Sequence, residues 1–115
     1  MGRCLDYGCG RGRDADTYVL EGYDPAWRPQ RPTGTFDTIL CTYVLNVVDE
    51  VVQEAILDDL KGLLSPGGKA YISVRRDLPR EGKQGRGCWQ RFVVLEAPIL
   101  VDNGRWATYV LDSAF

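Results

Sequence analysis

The chain has 115 residues, 14 Lys and Arg against 16 Asp and Glu for a net charge of −2, and a hydrophobic fraction of 44%. These values predict one domain over residues 1–115 with a single core, and they exclude a disordered chain and a generic polyanion binder. No apolar run is long enough to span a bilayer and there is no histidine, so no membrane contact, no metal site and no His-based triad is expected.

Arg3 to Tyr7 predicts a short strand near the middle of a sheet, with Asp6 at its carboxyl end. Gly8, Gly10 and Gly12 follow at alternate positions. Such glycines allow positive φ and leave no Cβ, so a ligand can lie against bare backbone. Residues 13–20 predict a helix of about two turns, whose first N–H groups could face an anion. The second strand is brief, around Glu21 to Tyr23. Asp24 at its end can take both hydroxyls of a ribose, or can simply form an Asp-Pro turn with Pro25. Pro25, Pro29 and Pro32 make the following stretch a loop.

Thr35 to Cys41 predicts the next strand, and Thr42 to Val48 crosses the top of the sheet. Asp49 is placed to cap a helix over Glu50 to Leu64. Its inward face is expected to be Val52, Ile56, Leu60, Leu63 and Leu64, with Glu54, Asp58, Asp59 and Lys61 largely opposite. Ser65-Pro66-Gly67-Gly68 should stop the helix. Lys69 to Val74 is strand-like and ends at Arg75-Arg76. Pro79, Gly82, Gly85 and Gly87 make the next stretch a loop. Arg91 to Leu95 and Ile99 to Val101 are strand-like, separated at Pro98. Asn103-Gly104 predicts the tip of a tight hairpin whose returning strand is Trp106 to Leu111.

Cys4-Leu5-Asp6-Tyr7-Gly8-Cys9-Gly10-Arg11-Gly12 together with Gly22-Tyr23-Asp24-Pro25 resembles the cofactor-binding signature of class I S-adenosylmethionine-dependent methyltransferases. Phe36 to Cys41 resembles that family's fourth strand, Tyr43 to Val48 the segment after it, and Leu63 to Gly68 the turn before its fifth strand. The chain is also similar, more narrowly, to methyltransferases of bacterial DNA-modification loci. The resemblance implies a Rossmann-like α/β fold with a mainly parallel sheet and a C-terminal antiparallel hairpin, in strand order 2-1-4-5-7-6. The third strand should be missing, because residues 25–35 are too few for a crossover containing one. The cofactor implied is S-adenosylmethionine, with S-adenosylhomocysteine as product. By resemblance the cofactor-binding residues are Asp6, Gly8, Cys9, Gly10, Asp24, Pro25, Cys41, Tyr43 and Leu45.

Methyl transfer from a sulfonium needs donor and acceptor held in line, and no covalent nucleophile. Tyr43 is the candidate catalytic residue, as a weak base or an orienting group; Tyr7 could also orient an acceptor. For each tyrosine a half-buried aromatic with its hydroxyl at the surface is the stronger expectation. Asn46 could bond a substrate or brace a turn. Trp27 could cover the adenine or cap the core. Residues 75–91 carry six positive and two negative side chains, so Arg75, Arg76 and Trp89 are candidates to bind an anionic small molecule or nucleic acid, unless the loop is merely solvated. Tyr43-Val44 stands where amino-directed DNA methyltransferases carry Asn-Pro-Pro-Tyr, which argues against that subclass. A cofactor-binding module without catalysis is the alternative function. The early Asp6 leaves no room for a leader's apolar region, and Cys4, Cys9, Cys41 and Cys88 without a C-x-x-C read as reduced thiols, so a cytoplasmic protein is expected. Loss of the third strand should uncover one sheet edge and face, which predicts a homodimer with Trp27, Tyr18 or the 92–111 hairpin near the contact.

Overall fold

The structure, a computed structural model, describes residues 2–9, 12, 20–77 and 90–113. Its elements in chain order are β1 (Cys4–Tyr7), β2 (Glu21–Tyr23), β3 (Phe36–Thr42), a 3-10 turn (Leu45–Val47), α1 (Glu50–Leu63), β4 (Leu64–Arg75), β5 (Ile99–Asp102) and β6 (Trp106–Asp112). They form one six-stranded sheet in the order β2-β1-β3-β4-β6-β5. β2, β1, β3 and β4 are parallel neighbours, and β6 runs antiparallel to both β4 and β5. In the numbering of the resembled family this is 2-1-4-5-7-6, with no third strand among the described residues, as expected. The short helix anticipated over 13–20 lies outside the described residues except at Leu20.

The pairing register divides the strands between two faces. Leu5, Tyr7, Tyr23, Ile39, Cys41, Ala70, Ile72, Val74, Ala107, Tyr109 and Leu111 fall on one face, because they alternate along each strand and stand opposite one another across strands. All are buried, together with Ile56, Leu60 and Leu63 of α1 and Val93. α1 and the segment 90–97 therefore cover this face. The other face carries Asp6, Leu40, Thr42, Ser73 and Arg75, which are half-buried or exposed. The described residues thus supply two layers.

Four local expectations are corrected. α1 begins where Asp49 caps it, with its carboxylate accepting from Val52 N at 2.9 Å, but it ends at Leu63. Val52 is 44% exposed and Gln53 takes the inward place. Ser65 to Gly68 does not separate helix from strand; it lies within β4 as an irregularity in the pairing with β3. Arg91 to Leu95 is not a strand. It has alternating bulk, but β4 is already paired on both sides, by β3 and β6, so no edge is open to it there. It lies over the sheet face, with Val93 in the core.

Two polar knots tie connecting segments to the sheet and to α1. Arg31 donates to both carboxylate oxygens of Asp59 on α1, at 2.8 and 2.7 Å, and stands 4.9 Å over the Tyr23 ring. Tyr7 Oη donates to the same carboxylate at 2.6 Å. This pins the proline-rich loop across the β2 end of the sheet. Asn46, fully buried, accepts from Arg75 N at 2.8 Å and donates to Arg91 O at 2.9 Å. Asn46 is therefore a brace for the 3-10 turn. Arg91 donates to the carbonyls of Val48 and Leu45 and to Gln53 Oε1, which explains why α1 turns a glutamine inward.

Candidate functional site

At the carboxyl ends of β1 and β3 a cleft of about 370 Å³ is lined by Asp6, Gly8, Cys9, Leu20, Leu40, Thr42 and Tyr43. This is the place where open parallel sheets bind ligands, and its size falls in the range of small-molecule sites. Gly8 N and Cys9 N both donate to Tyr23 O, at 2.7 and 3.0 Å, so the glycine loop is tied to the end of β2. Gly8 has φ +79°, and a Cβ there would stand 2.4 Å from Val44 Cγ2. Both the backbone conformation and the packing require glycine.

Tyr43 is the described non-glycine residue with positive φ, at +62°. Left-handed backbone at a bulky residue costs roughly 1–3 kcal/mol and collects at functional sites. Tyr43 N donates to Ser73 O at 2.7 Å, which fixes the turn, and the side chain is 43% exposed at the cleft.

Asp24 ends β2. Its Oδ1 accepts from Ala26 N at 2.9 Å and Trp27 N at 3.2 Å, and its backbone pairs both ways with Arg28, at 3.0 and 2.9 Å. So Asp24 does form the Asp-Pro turn, and that turn fixes its carboxylate beside the loop. Trp27 is 56% exposed and so does not cap the core. The charge environment of Cys9 shows what converges here. Burial pushes its thiol up, Asp6 and Asp24 push the same way, and Arg28 pulls it down. Arg28 was not singled out in the sequence; only the turn back onto Asp24 brings it to the loop.

Cys41 and Leu45 are both fully buried and present no surface to a ligand. The period of the strand explains Cys41: Leu40 and Thr42 turn to the cleft, and Cys41 between them turns into the core. Burial pushes its thiol up to about 12. Tyr7 is corrected as an acceptor residue. It is 7% exposed with its hydroxyl on Asp59, and burial followed by that bond drives its ionisation well above the usual phenol range.

Arg75 and Arg76 separate for the same reason of alternation. Arg75 follows the cleft face and holds Asp77 through two bonds, at 2.9 and 3.0 Å, with Gln90 Oε1 at 3.1 Å. Its guanidinium is held above the usual range by Asp77 first and also by the nearby Tyr43. Arg76 turns to the core face, where its side chain is 8% exposed. It donates to Val93 O and Tyr109 Oη and stands 3.5 Å from Asp102 and 4.9 Å over Phe92. Arg76 therefore clamps the 90–97 segment and cannot receive a substrate. Gly10, Tyr18, Trp89 and most of the basic loop lie outside the described residues. Among the described residues no cluster suits a metal ion, and no helix is long and apolar enough to cross a membrane.

A family model described as a methyltransferase domain matches residues 1–107. No curated protein matches. The solved structure of PKMT2 from Rickettsia typhi is similar at 27% identity and TM-score 0.53, over 66% of this chain and 21% of that one. An O-methyltransferase family protein from Burkholderia thailandensis is 12% identical with TM-score 0.64, over 95% and 50%. The glycopeptide N-methyltransferase MtfA, solved with S-adenosyl-L-homocysteine, is 14% identical with TM-score 0.57, over 98% and 67%. The chain thus spans between a fifth and a half of the first solved structures that it matches.

Proposed function

The chain belongs to the methyltransferase-domain family, and on that premise we propose that it binds S-adenosylmethionine in the cleft at the ends of β1, β2 and β3 and transfers the methyl group to an acceptor entering past Tyr43. The observation that carries this reading is Gly8. Its positively twisted backbone, packed against Val44 and tied to Tyr23 O, lines a cleft of suitable size beside the Asp6 carboxylate. The donor set fits: acids for hydroxyls and an ammonium, bare loop backbone, and an apolar wall from Leu20 and Leu40.

When bound, the cofactor supplies a methyl group on a sulfonium, whose thioether leaves readily. The chain's own residues supply position. Gly8 and Cys9, whose N–H groups are held on Tyr23 O, form with Gly10 the loop against which the cofactor would lie, Asp24 with Pro25 takes the ribose hydroxyls, and Asp6 steadies the loop or the amino-acid arm. Cys41 and Leu45 enter only as the packed floor behind the cleft. Tyr43 orients the acceptor or takes its proton as a weak base. Arg75 borders the acceptor side and suits an anionic small molecule or a nucleic acid, while Arg76 has no part in it. Cys4, Cys9 and Cys41 are free thiols, which fits the cytoplasm.

One observation favours a second reading, a module that holds the cofactor for a partner without catalysis. Tyr7 and Arg76, which might have served an acceptor, are both consumed by internal bonds. Calorimetry with S-adenosylhomocysteine, run beside methyl transfer from labelled cofactor to a broad acceptor panel, tests both. Binding with transfer supports the enzyme, binding alone supports the module, and no binding removes both.

A further inference from the structure

A groove runs between α1 and the 91–97 segment, on the face of the sheet opposite Asp6, Leu40 and Thr42. It has two adjoining hollows, of about 250 and 430 Å³, which share Gln53, Glu54 and Val94. The smaller one reaches Ile72 and Leu111 in the core, with Leu57 and Leu95 at its sides. So α1 and the 91–97 segment do not close fully over the sheet.

Two further features converge on this groove. One is backbone. Val93 is buried, Val94 exposed and Leu95 half-buried, which is the alternation of a strand, yet the segment belongs to no sheet. The N–H groups of Val93 to Ala97 and the carbonyls of Val94, Leu95 and Glu96 make no hydrogen bond among the described residues. Strand-like backbone with free donors and acceptors is a template for another strand. The other feature is charge. Glu50 and Glu54 on α1 and Glu96 on the segment line the hollows and are exposed. None of the three carboxylates pairs with a cation among the described residues. Glu50 and Glu54 also stand one helical turn apart, where like charges repel. The neighbouring cation, Arg91, is spent inward on the carbonyls of Val48 and Leu45 and on Gln53.

We propose that this groove docks an extended segment of a partner protein in which lysine or arginine alternates with apolar residues. Side chains of an extended chain alternate between two sides. The apolar side faces Leu57 and Leu95, the basic side meets Glu50, Glu54 and Glu96, and the backbone pairs along 93–95 by strand addition. The three acids would repel a phosphate backbone or an anionic membrane surface. A small amine would leave the free backbone groups unmet. The docking does not depend on what the cleft at β1 and β3 binds.

Fluorescence anisotropy on the full chain tests this with a short, labelled, end-capped peptide of alternating lysine and valine. The wild type should bind it, and added salt should weaken the binding. Joint substitution Glu54→Lys and Glu96→Lys should weaken it roughly 10-fold or more, with the urea midpoint unchanged as the check on folding. A peptide of alternating glutamate and valine should not bind. Two further lysine-valine peptides, each methylated on one alternate set of backbone nitrogens, keep the side chains and lose strand pairing on one side. One of the two should bind roughly 10-fold more weakly than the parent. Equal binding by wild type and the charge-reversed chain would overturn the proposal, as would undiminished binding of both methylated peptides. A wild type that takes no peptide also overturns it; if that chain is a dimer whose mass the charge reversal halves, the groove belongs to a second copy.

Discussion

Replacing Gly8 by alanine separates two demands that the site makes on one residue. The first is conformational: φ is +79°, and an L-residue in left-handed backbone costs roughly 1–2 kcal/mol. The second is steric: the new Cβ would meet Val44 Cγ2 at 2.4 Å. Valine has little χ1 freedom, and forcing a methyl into packed surroundings costs typically about 1–3 kcal/mol. Gly8→Ala should therefore destabilise the fold by about 2–5 kcal/mol. Gly67 supplies the control, because it has φ +81° and nothing within 4 Å of a Cβ. Gly67→Ala should cost only the conformational part. Val44→Ala removes the struck methyl, so in the Gly8→Ala background it should recover the steric part. The assay is urea unfolding of wild type, the three single variants and the Gly8/Val44 double variant, read by tryptophan fluorescence. A Gly8→Ala protein within about 0.5 kcal/mol of wild type would refute the reasoning, and equal losses at Gly8 and Gly67 would refute the steric half.

The two adjacent arginines should behave unlike one another. Arg76→Ala is expected to lose about 2–4 kcal/mol in urea unfolding, since it leaves Val93 O and Asp102 without their cation, whereas the more exposed Arg75→Ala should lose under about 1 kcal/mol. Asp59→Asn should destabilise by about 1–2 kcal/mol at neutral pH through weaker bonds to Tyr7 and the exposed Arg31. Arg31 first, then Tyr7, holds the Asp59 carboxyl below its usual value of 3.8, so its stabilisation is present above that value and is lost as pH falls through the lower folded one. The gap between wild type and Asp59→Asn should accordingly close as the pH falls below 3.8 through the lower folded value, and a gap that stays constant on acidification would refute the assignment. Edge strand β5 exposes Ile99 by 52% and Leu100 by 64%, with Val94 at 64% on the neighbouring segment, which supports the expected homodimer through the 92–111 hairpin. Light scattering over a dilution series should give twice the monomer mass at high micromolar concentration, and Leu100→Lys should halve it; a monomer throughout refutes it.

The elements and the glycine loop are legible in the sequence because they depend on local signals, whereas the strand order is what the family resemblance implies. The apolar run before Asp6, the brief Glu21–Tyr23, the Asp49 cap and the Asn103-Gly104 tip each specify their element within a few residues. What was not legible is which way a side chain turns at the end of a strand. Cys41 and Arg76 were read as site residues from their place along the chain. Each is one residue out of phase with the cleft, and a shift of one residue changes face. That phase is set by pairing partners far away in sequence: Cys41 stands opposite Ile72, and Arg76 N donates to Arg105 O at 2.7 Å. The neighbours Leu40 and Thr42 line the cleft, and Arg75 lies on the same face of the sheet. Gln53 and Val52 are exchanged for a related reason. The period of α1 predicts an apolar stripe, but Arg91, 38 residues later, needs an acceptor at Gln53, and an unmet buried guanidinium would cost more than an exposed valine. Arg28 belongs with these cases. Nothing in Asp24-Pro25-Ala26-Trp27-Arg28 says that the fifth residue returns to the first. Once the Asp24 carboxylate caps the turn, the return follows, and it brings the Arg28 side chain against the glycine loop at Gly12.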